Sequence, residues 1–248
     1  MPPPYERVWD TRANAACAGP AESRTRTAPD TTRRAPTHRK PRVAPALPGG
    51  DHGGMDHPVH LAQDPDADAL LSRSPLAALV GLLLDQQVPM EWAFKGPLTI
   101  AQRLGDDDLD AHRIAARDPD GFAALLSEKP AVHRYPGSMA KRVQQLCTYL
   151  VEHYDGDAEA VWTGAADGAE LLKRLKALPG YGDQKARICV AMLGKRYGVA
   201  PPGWREAAGA YGEEDSYRSI ADVTGPESLD LVRATKQEAK RAAKAKRA

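Results

Sequence analysis

The stretch Leu175-Lys176-Ala177-Leu178-Pro179-Gly180-Tyr181-Gly182-Asp183-Gln184-Lys185-Ala186 carries the residue types of a backbone anion site. A helical pattern runs into Pro179-Gly180, and a second one starts directly after Gly182. Glycine at both positions permits positive φ and leaves no Cβ in the path of a ligand. The N–H groups of such a turn, with those of the helix start behind it, point outward as a set. That set binds an anion, most naturally a phosphate. Leu178 and Ile188 are the side chains expected to hold the two helices together. Gly-x-Gly alone also describes an ordinary glycine-capped corner, but Leu-Pro-Gly-x-Gly-x-x-x-Ala between two amphipathic helices is more specific. Other candidate chemistry is thinner. Asp56, His57 and His60 precede the helical pattern and lack a convincing further ligand, so no metal site is expected. Cys17, Cys147 and Cys189 are scattered, without a Cys-x-x-Cys pair, and too few for a four-thiolate iron–sulfur cluster.

The elements that position these residues read as helices from about residue 65 onward. Apolar residues recur at helical spacing over residues 66–73, 76–87, 90–104, 138–154, 169–177, 183–197 and 226–245, with short helices at 110–117 and 119–126. Ser74-Pro75 supplies an N-cap and a first-turn proline. The helix that follows is apolar almost all round, as a helix at the centre of a bundle must be. A break or restart is expected near Gly96-Pro97. Residues 198–225 hold Gly and Pro and few aliphatics, and read as a long loop. No segment alternates with period two, so the expected fold class is all-α. Residues 1–55 contain nine prolines and almost no periodic hydrophobics. Such a stretch cannot bury enough apolar surface to offset its ordering entropy and is expected to be a disordered basic tail. The alternative is a translation start at Met55. The folded part is then one helical domain over residues 56–248.

These features together resemble the helix-hairpin-helix base-excision DNA glycosylases, the superfamily that includes endonuclease III, the adenine glycosylase that acts on mispairs and the alkylbase glycosylases. The hairpin lies in the second half of the domain, as it does there. The buried helix ending in Asp85-Gln86-Gln87-Val88-Pro89 is similar to the family segment whose Gln-containing loop enters the DNA stack beside the damaged base. Tyr135-Pro136-Gly137-Ser138-Met139-Ala140-Lys141-Arg142 looks like the helix start that precedes the family's hairpin. The resemblance implies a two-lobed helical fold that flips a damaged base out of duplex DNA and cleaves its N-glycosidic bond. It implies DNA contacts from Gln86, Gln87, Pro179, Gly180, Tyr181, Gly182 and Lys185. Members that also cut the backbone carry a lysine four residues past the first hairpin glycine. That position is Gln184 here, and Lys185 lies about 100° away around the helix. A monofunctional enzyme without lyase activity is therefore expected, with Lys185 on a phosphate or in solvent. The family's catalytic aspartate falls by spacing near Pro202, where there is none. Asp222, in Ser219-Ile220-Ala221-Asp222-Val223-Thr224, is the first substitute and Asp215 the second. Asp222 also fits a plain helix cap. No cofactor is expected beyond a monovalent cation at the hairpin. Two other readings stay open: a DNA-binding member that has lost its acid, and a helical protein-interaction domain in which the hairpin is only a corner.

The formal net charge of +1 conceals an uneven distribution. Residues 56–232 carry 18 basic and 27 acidic side chains, while residues 233–248 carry 7 basic and 1 acidic. Phosphate neutralisation dominates DNA affinity, so binding must rest on local basic patches. Candidates are Lys141, Arg142, Lys173, Arg174, Lys176, Lys185, Arg187, Lys195 and Arg196, with Arg233, Lys236, Lys240, Arg241, Lys244, Lys246 and Arg247 of the last helix. His133, Tyr135, Trp92 and Phe94 lie where the family approaches its substrate, and ordinary packing explains them equally well. The expected partner is double-stranded DNA, bound by a monomer. The longest apolar run is about half a membrane span, and a cytoplasmic, nucleoid-associated location is expected.

Overall fold

The computed structural model describes residues 59–245, and all regular structure among them is helical. The expectations placed on residues 1–55, on Met55 and on Asp56 and His57 fall outside these residues. The order is α1 (Pro65–Arg73), α2 (Pro75–Leu84), α3 (Met90–Leu104), α4 (Ala111–Ala115), α5 (Pro119–Ser127), α6 (Pro136–Tyr154), α7 (Gly168–Ala177), α8 (Asp183–Arg196), α9 (Trp204–Ala208) and α10 (Pro226–Ala245). Single 3₁₀ turns occur at Glu159–Val161, Gly209–Tyr211 and Ile220–Asp222. Local chemistry sets the helix starts. Asp64, Ser74, Asp110, Asp118 and Asp167 each accept the N–H three residues on, and Pro65, Pro75 and Pro119 occupy the first helical position. Such a cap is worth about 0.5–2 kcal/mol.

Every residue from Leu76 to Leu84 is buried, so α2 is the axis of the molecule. α1, α3 and α6 pack on it, α4 and α5 pack on α6, and α7, α9 and the Ile220–Asp222 turn pack on α8. One continuous apolar core joins these groups. Among the described residues no single helix is long and apolar enough to cross a membrane.

Two expectations are corrected. α3 runs unbroken through Gly96-Pro97. A Cβ on Gly96 would lie 2.5 Å from Leu84 Cδ1, so α3 packs closely on α2 at that point. Burial of Phe94 and Ile100 on either side offsets an internal proline's cost of about 3 kcal/mol. Residues 198–225 are not a featureless loop, because they hold α9 and two of the 3₁₀ turns. Each of these is a turn or so long, too short to show a periodicity.

Candidate functional site: a groove beside the hairpin

α7 and α8 meet in a tight turn. Leu178 is buried, Tyr181 N–H donates to Leu178 O at 3.0 Å, and Gly180 has φ +83°. A Cβ on Gly180 would also lie 2.5 Å from Leu83 Cδ1 of α2, so conformation and space both require glycine. Gly182 is exposed, and a Cβ there would meet nothing within 4 Å. The N–H groups of Gly180, Gly182, Asp183, Gln184 and Lys185 find no acceptor among the described residues. The carbonyls of Leu178 and Gly182 accept from Tyr181 and Ala186 N–H. Ile188, expected between the two helices, is half-buried on the groove wall instead.

α2 ends without a glycine and without a basic residue in its last turn. Its carbonyls are served from the hairpin. Tyr181 OH donates to Leu79 O at 2.7 Å, and Lys185 Nζ donates to Leu82 O at 2.5 Å and to Leu83 O at 3.0 Å. A cation at a helix C-terminus also meets the negative end of the helix dipole. Two expected DNA-binding side chains are thereby reassigned. Tyr181 is buried and Lys185 turns inward rather than to a phosphate or to solvent, because the end of α2 would otherwise leave buried carbonyls unmatched. Burial pulls the Lys185 ammonium down to about 8, against the opposing attraction of Asp85.

The Asp85-Gln86-Gln87 turn emerges from this capped end. Gln86 is tied inward: Nε2 donates to Leu83 O at 2.7 Å, and Oε1 accepts from Arg142 Nη1 at 2.7 Å. His133 holds the same turn. Its Nδ1 accepts Tyr135 N–H at 3.0 Å, so Nε2 carries the hydrogen and donates to Gln86 O at 2.9 Å. Burial lowers the His133 pKa, which favours this neutral form. Gln87 is the opposite case. It is exposed, sits at φ +58°, and makes no side-chain hydrogen bond among the described residues. A non-glycine residue there stores on the order of 1 kcal/mol of strain. Of the two glutamines, only Gln87 projects.

Behind this turn lies a groove of about 1070 Å³, bordered by the hairpin, by Tyr211 and by α10. Arg218, Lys236 and Lys240 line it, and Asp85 is on its wall beside Leu82. Asp85 is half-buried, with no hydrogen bond to its carboxylate and no ion pair within 4 Å among the described residues. Burial holds its carboxyl above the usual aspartate range, and the charges of Lys236 and Lys185 act in the other direction. Gln184 also reaches this groove, donating through Nε2 to Tyr211 OH at 3.0 Å.

The late carboxylates lie elsewhere. Asp222 has a side chain 2 % exposed, and both its oxygens are fully engaged. Oδ1 accepts from Lys195 Nζ at 2.6 Å and Ser216 Oγ at 3.1 Å; Oδ2 accepts from the N–H groups of Arg218 at 2.9 Å and Ser219 at 3.0 Å. It closes a capping box with Ser219 and locks the loop onto α8. Asp215 is exposed at φ +43° and does not line the groove. Two carboxylates line the groove, Asp183 of the hairpin and Asp85, which sequence reasoning treated only as the end of a helix. The signal was there to read: an acid directly after nine small or apolar positions, Leu76 to Leu84, and directly before Gln86-Gln87.

Much of the expected basic patch near the hairpin is also engaged within the protein. Lys176 and Arg187 hold Asp183, Arg174 holds Glu170, Lys195 holds Asp222, and Arg196 donates to Ala221 O. Arg233 pairs with Glu91. Phe94 is core, whereas Trp92 and Tyr135 are 38 % and 45 % exposed on either side of His133. Pro179 is half-buried at the turn. Among the described residues no three His, Cys, Asp or Glu side chains form a metal-binding group. No protein-family model matches the chain, and no curated protein and no solved structure matches it significantly.

Proposed function

We propose that the chain is a base-excision DNA repair protein, a monofunctional DNA N-glycosylase working on double-stranded DNA. The observation that carries this reading is one juxtaposition. The hairpin, whose turn N–H groups find no acceptor among the described residues, and the Asp85-Gln86 turn that leads into the exposed Gln87 border the same groove. The hairpin suits a backbone phosphate, a contact that reads no sequence. Gln87, exposed and without a side-chain partner among the described residues, suits the gap left in a base stack. The groove beside the hairpin has the volume for an extruded nucleotide, and its rim carries Arg218, Lys236 and Lys240 against the flanking phosphates. These are local cations in an otherwise acidic domain. Gln184 supplies no amine, so nothing at that position forms a Schiff base with the sugar.

The inward engagement of Asp222 favours a second reading, a member that binds damaged DNA and does not cut it. One assay separates the two. Duplexes carrying a panel of damaged bases are incubated with the protein and treated with alkali. Strand breaks at one or more lesions, with no break before alkali, support the monofunctional glycosylase. Tight duplex binding with no alkali-labile site on any lesion supports the binding protein. Absence of salt-dependent duplex binding rejects both.

A further inference from the structure

We infer that Asp85 is the catalytic carboxylate of the groove, the group that faces the sugar of an extruded nucleotide. The inference rests on the glycosylase reading and assigns the acid that this reading needs.

Elimination supplies the first argument. Two carboxylates line the groove, Asp85 and Asp183. Asp183 is held by Lys176 Nζ and Arg187 Nε, each at 2.8 Å, which leaves it a surface ion-pair partner. Asp222 spends both oxygens on internal donors, and Asp215 stands off the groove. Of the two groove carboxylates, Asp85 alone has both oxygens uncommitted among the described residues.

Its placement supplies the second. Asp85 follows directly on α2, whose last carbonyls are pinned by Lys185 and Gln86. Its backbone N–H continues the helix by donating to Gly81 O at 3.1 Å. The carboxylate is therefore mounted on the most buried helix of the molecule, two residues before Gln87. A half-desolvated acid that no internal donor uses is a cost to the fold, and such groups cluster at functional sites. Burial raises its carboxyl above the usual value, and the positive charges of Lys236 and Lys185 act in the other direction. A fixed anion in low dielectric interacts with a developing cation far more strongly than it would in water.

The chemistry balances without a cofactor. The bond from the sugar C1′ to the base nitrogen breaks, and its electron pair leaves with the base. Positive charge builds on C1′ and the ring oxygen, opposite the Asp85 carboxylate. A water oxygen then bonds to C1′. Asp85 accepts the proton that this water loses, and the departing base takes up that proton in turn.

The test needs no knowledge of the lesion. Two duplexes are compared, one with a cationic pyrrolidine abasic analogue and one with its neutral tetrahydrofuran counterpart, at neutral pH and low salt. The native protein is expected to bind the pyrrolidine duplex about tenfold more tightly, the size of one good charge contact. Asp85→Asn should reduce that preference to less than about twofold, while Asp215→Asn keeps it. Asparagine preserves shape at a position that makes no side-chain bond, and a melting curve checks that the variant folds. A native protein that binds both analogues equally, or a preference that survives Asp85→Asn, overturns the assignment. Binding of neither analogue above an undamaged duplex rejects the glycosylase reading itself, and the assignment with it.

Discussion

Asp85 and Asp222 each sit at the end of a helical turn, and their surroundings give them opposite work. Asp222 neutralises Lys195 and caps a 3₁₀ turn, so its charge is consumed by the fold. Asp85 receives no such help, and burial raises its pKa above the unfolded value of 3.8. The native state thus holds the Asp85 proton more tightly than the unfolded chain does. Its contribution to stability is full below about pH 3.8 and is lost as pH rises through the folded pKa. At neutral pH the desolvated carboxylate weakens the fold, and Asp85→Asn should raise the melting temperature by a few degrees, a shift typical of one modest stabilising change in a domain of this size. The gain should shrink steadily as pH falls towards 3.8. Thermal melts of both proteins across that range check it, and a variant less stable than the native protein at neutral pH would count against a desolvated, unpartnered Asp85. The same contrast explains why the sequence points to Asp222. Its neighbours resemble a catalytic segment and equally fit a local cap; Ser216, Arg218 and Ser219 engage it from within six residues, and only Lys195, 27 residues earlier, is a partner that no local pattern displays.

Among the elements, the hairpin and α2 form one unit. Gly180 and Gly182 both belong to the turn, yet they face different ways. Alanine at 180 would collide with Leu83 and force a positive φ, so Gly180→Ala should lower stability by 1 kcal/mol or more, on the order of one strained residue. Alanine at 182 meets open space, so Gly182→Ala should fold normally. Its methyl group stands where a phosphate would approach, and duplex affinity should fall by about tenfold. Equilibrium unfolding and duplex titration on the two variants read these effects separately. Unchanged affinity in Gly182→Ala would mean that the hairpin is only a corner. Helix starts were legible because Asp64, Ser74, Asp118 and Asp167 act on residues three positions away. The hairpin was legible because its glycines are local. The inward turn of Tyr181 and Lys185 was not, since their acceptors on α2 lie 102 and 103 residues earlier. The unbroken α3 was missed for a related reason: packing against α2 overrides a local proline signal.

At the scale of the whole molecule, an acidic helical domain carries a groove with Arg218, Lys236 and Lys240 on its rim. Much of the remaining basic charge counted in the sequence is bound internally, so the net charge of +1 says little about where an anion would settle. α10 brings Lys236 and Lys240 to the groove by burying Leu229 and Val232, which ties the basic end of the chain to the hairpin. The central claim is that this groove receives a nucleotide drawn out of a duplex. Fluorescence of a mispaired 2-aminopurine in duplex DNA tests it most directly, because stacking quenches that base and extrusion releases the quench. The account predicts a saturable rise in emission on adding the native protein, and a smaller rise with Gln87→Gly. Saturable duplex binding with no change in emission would contradict it.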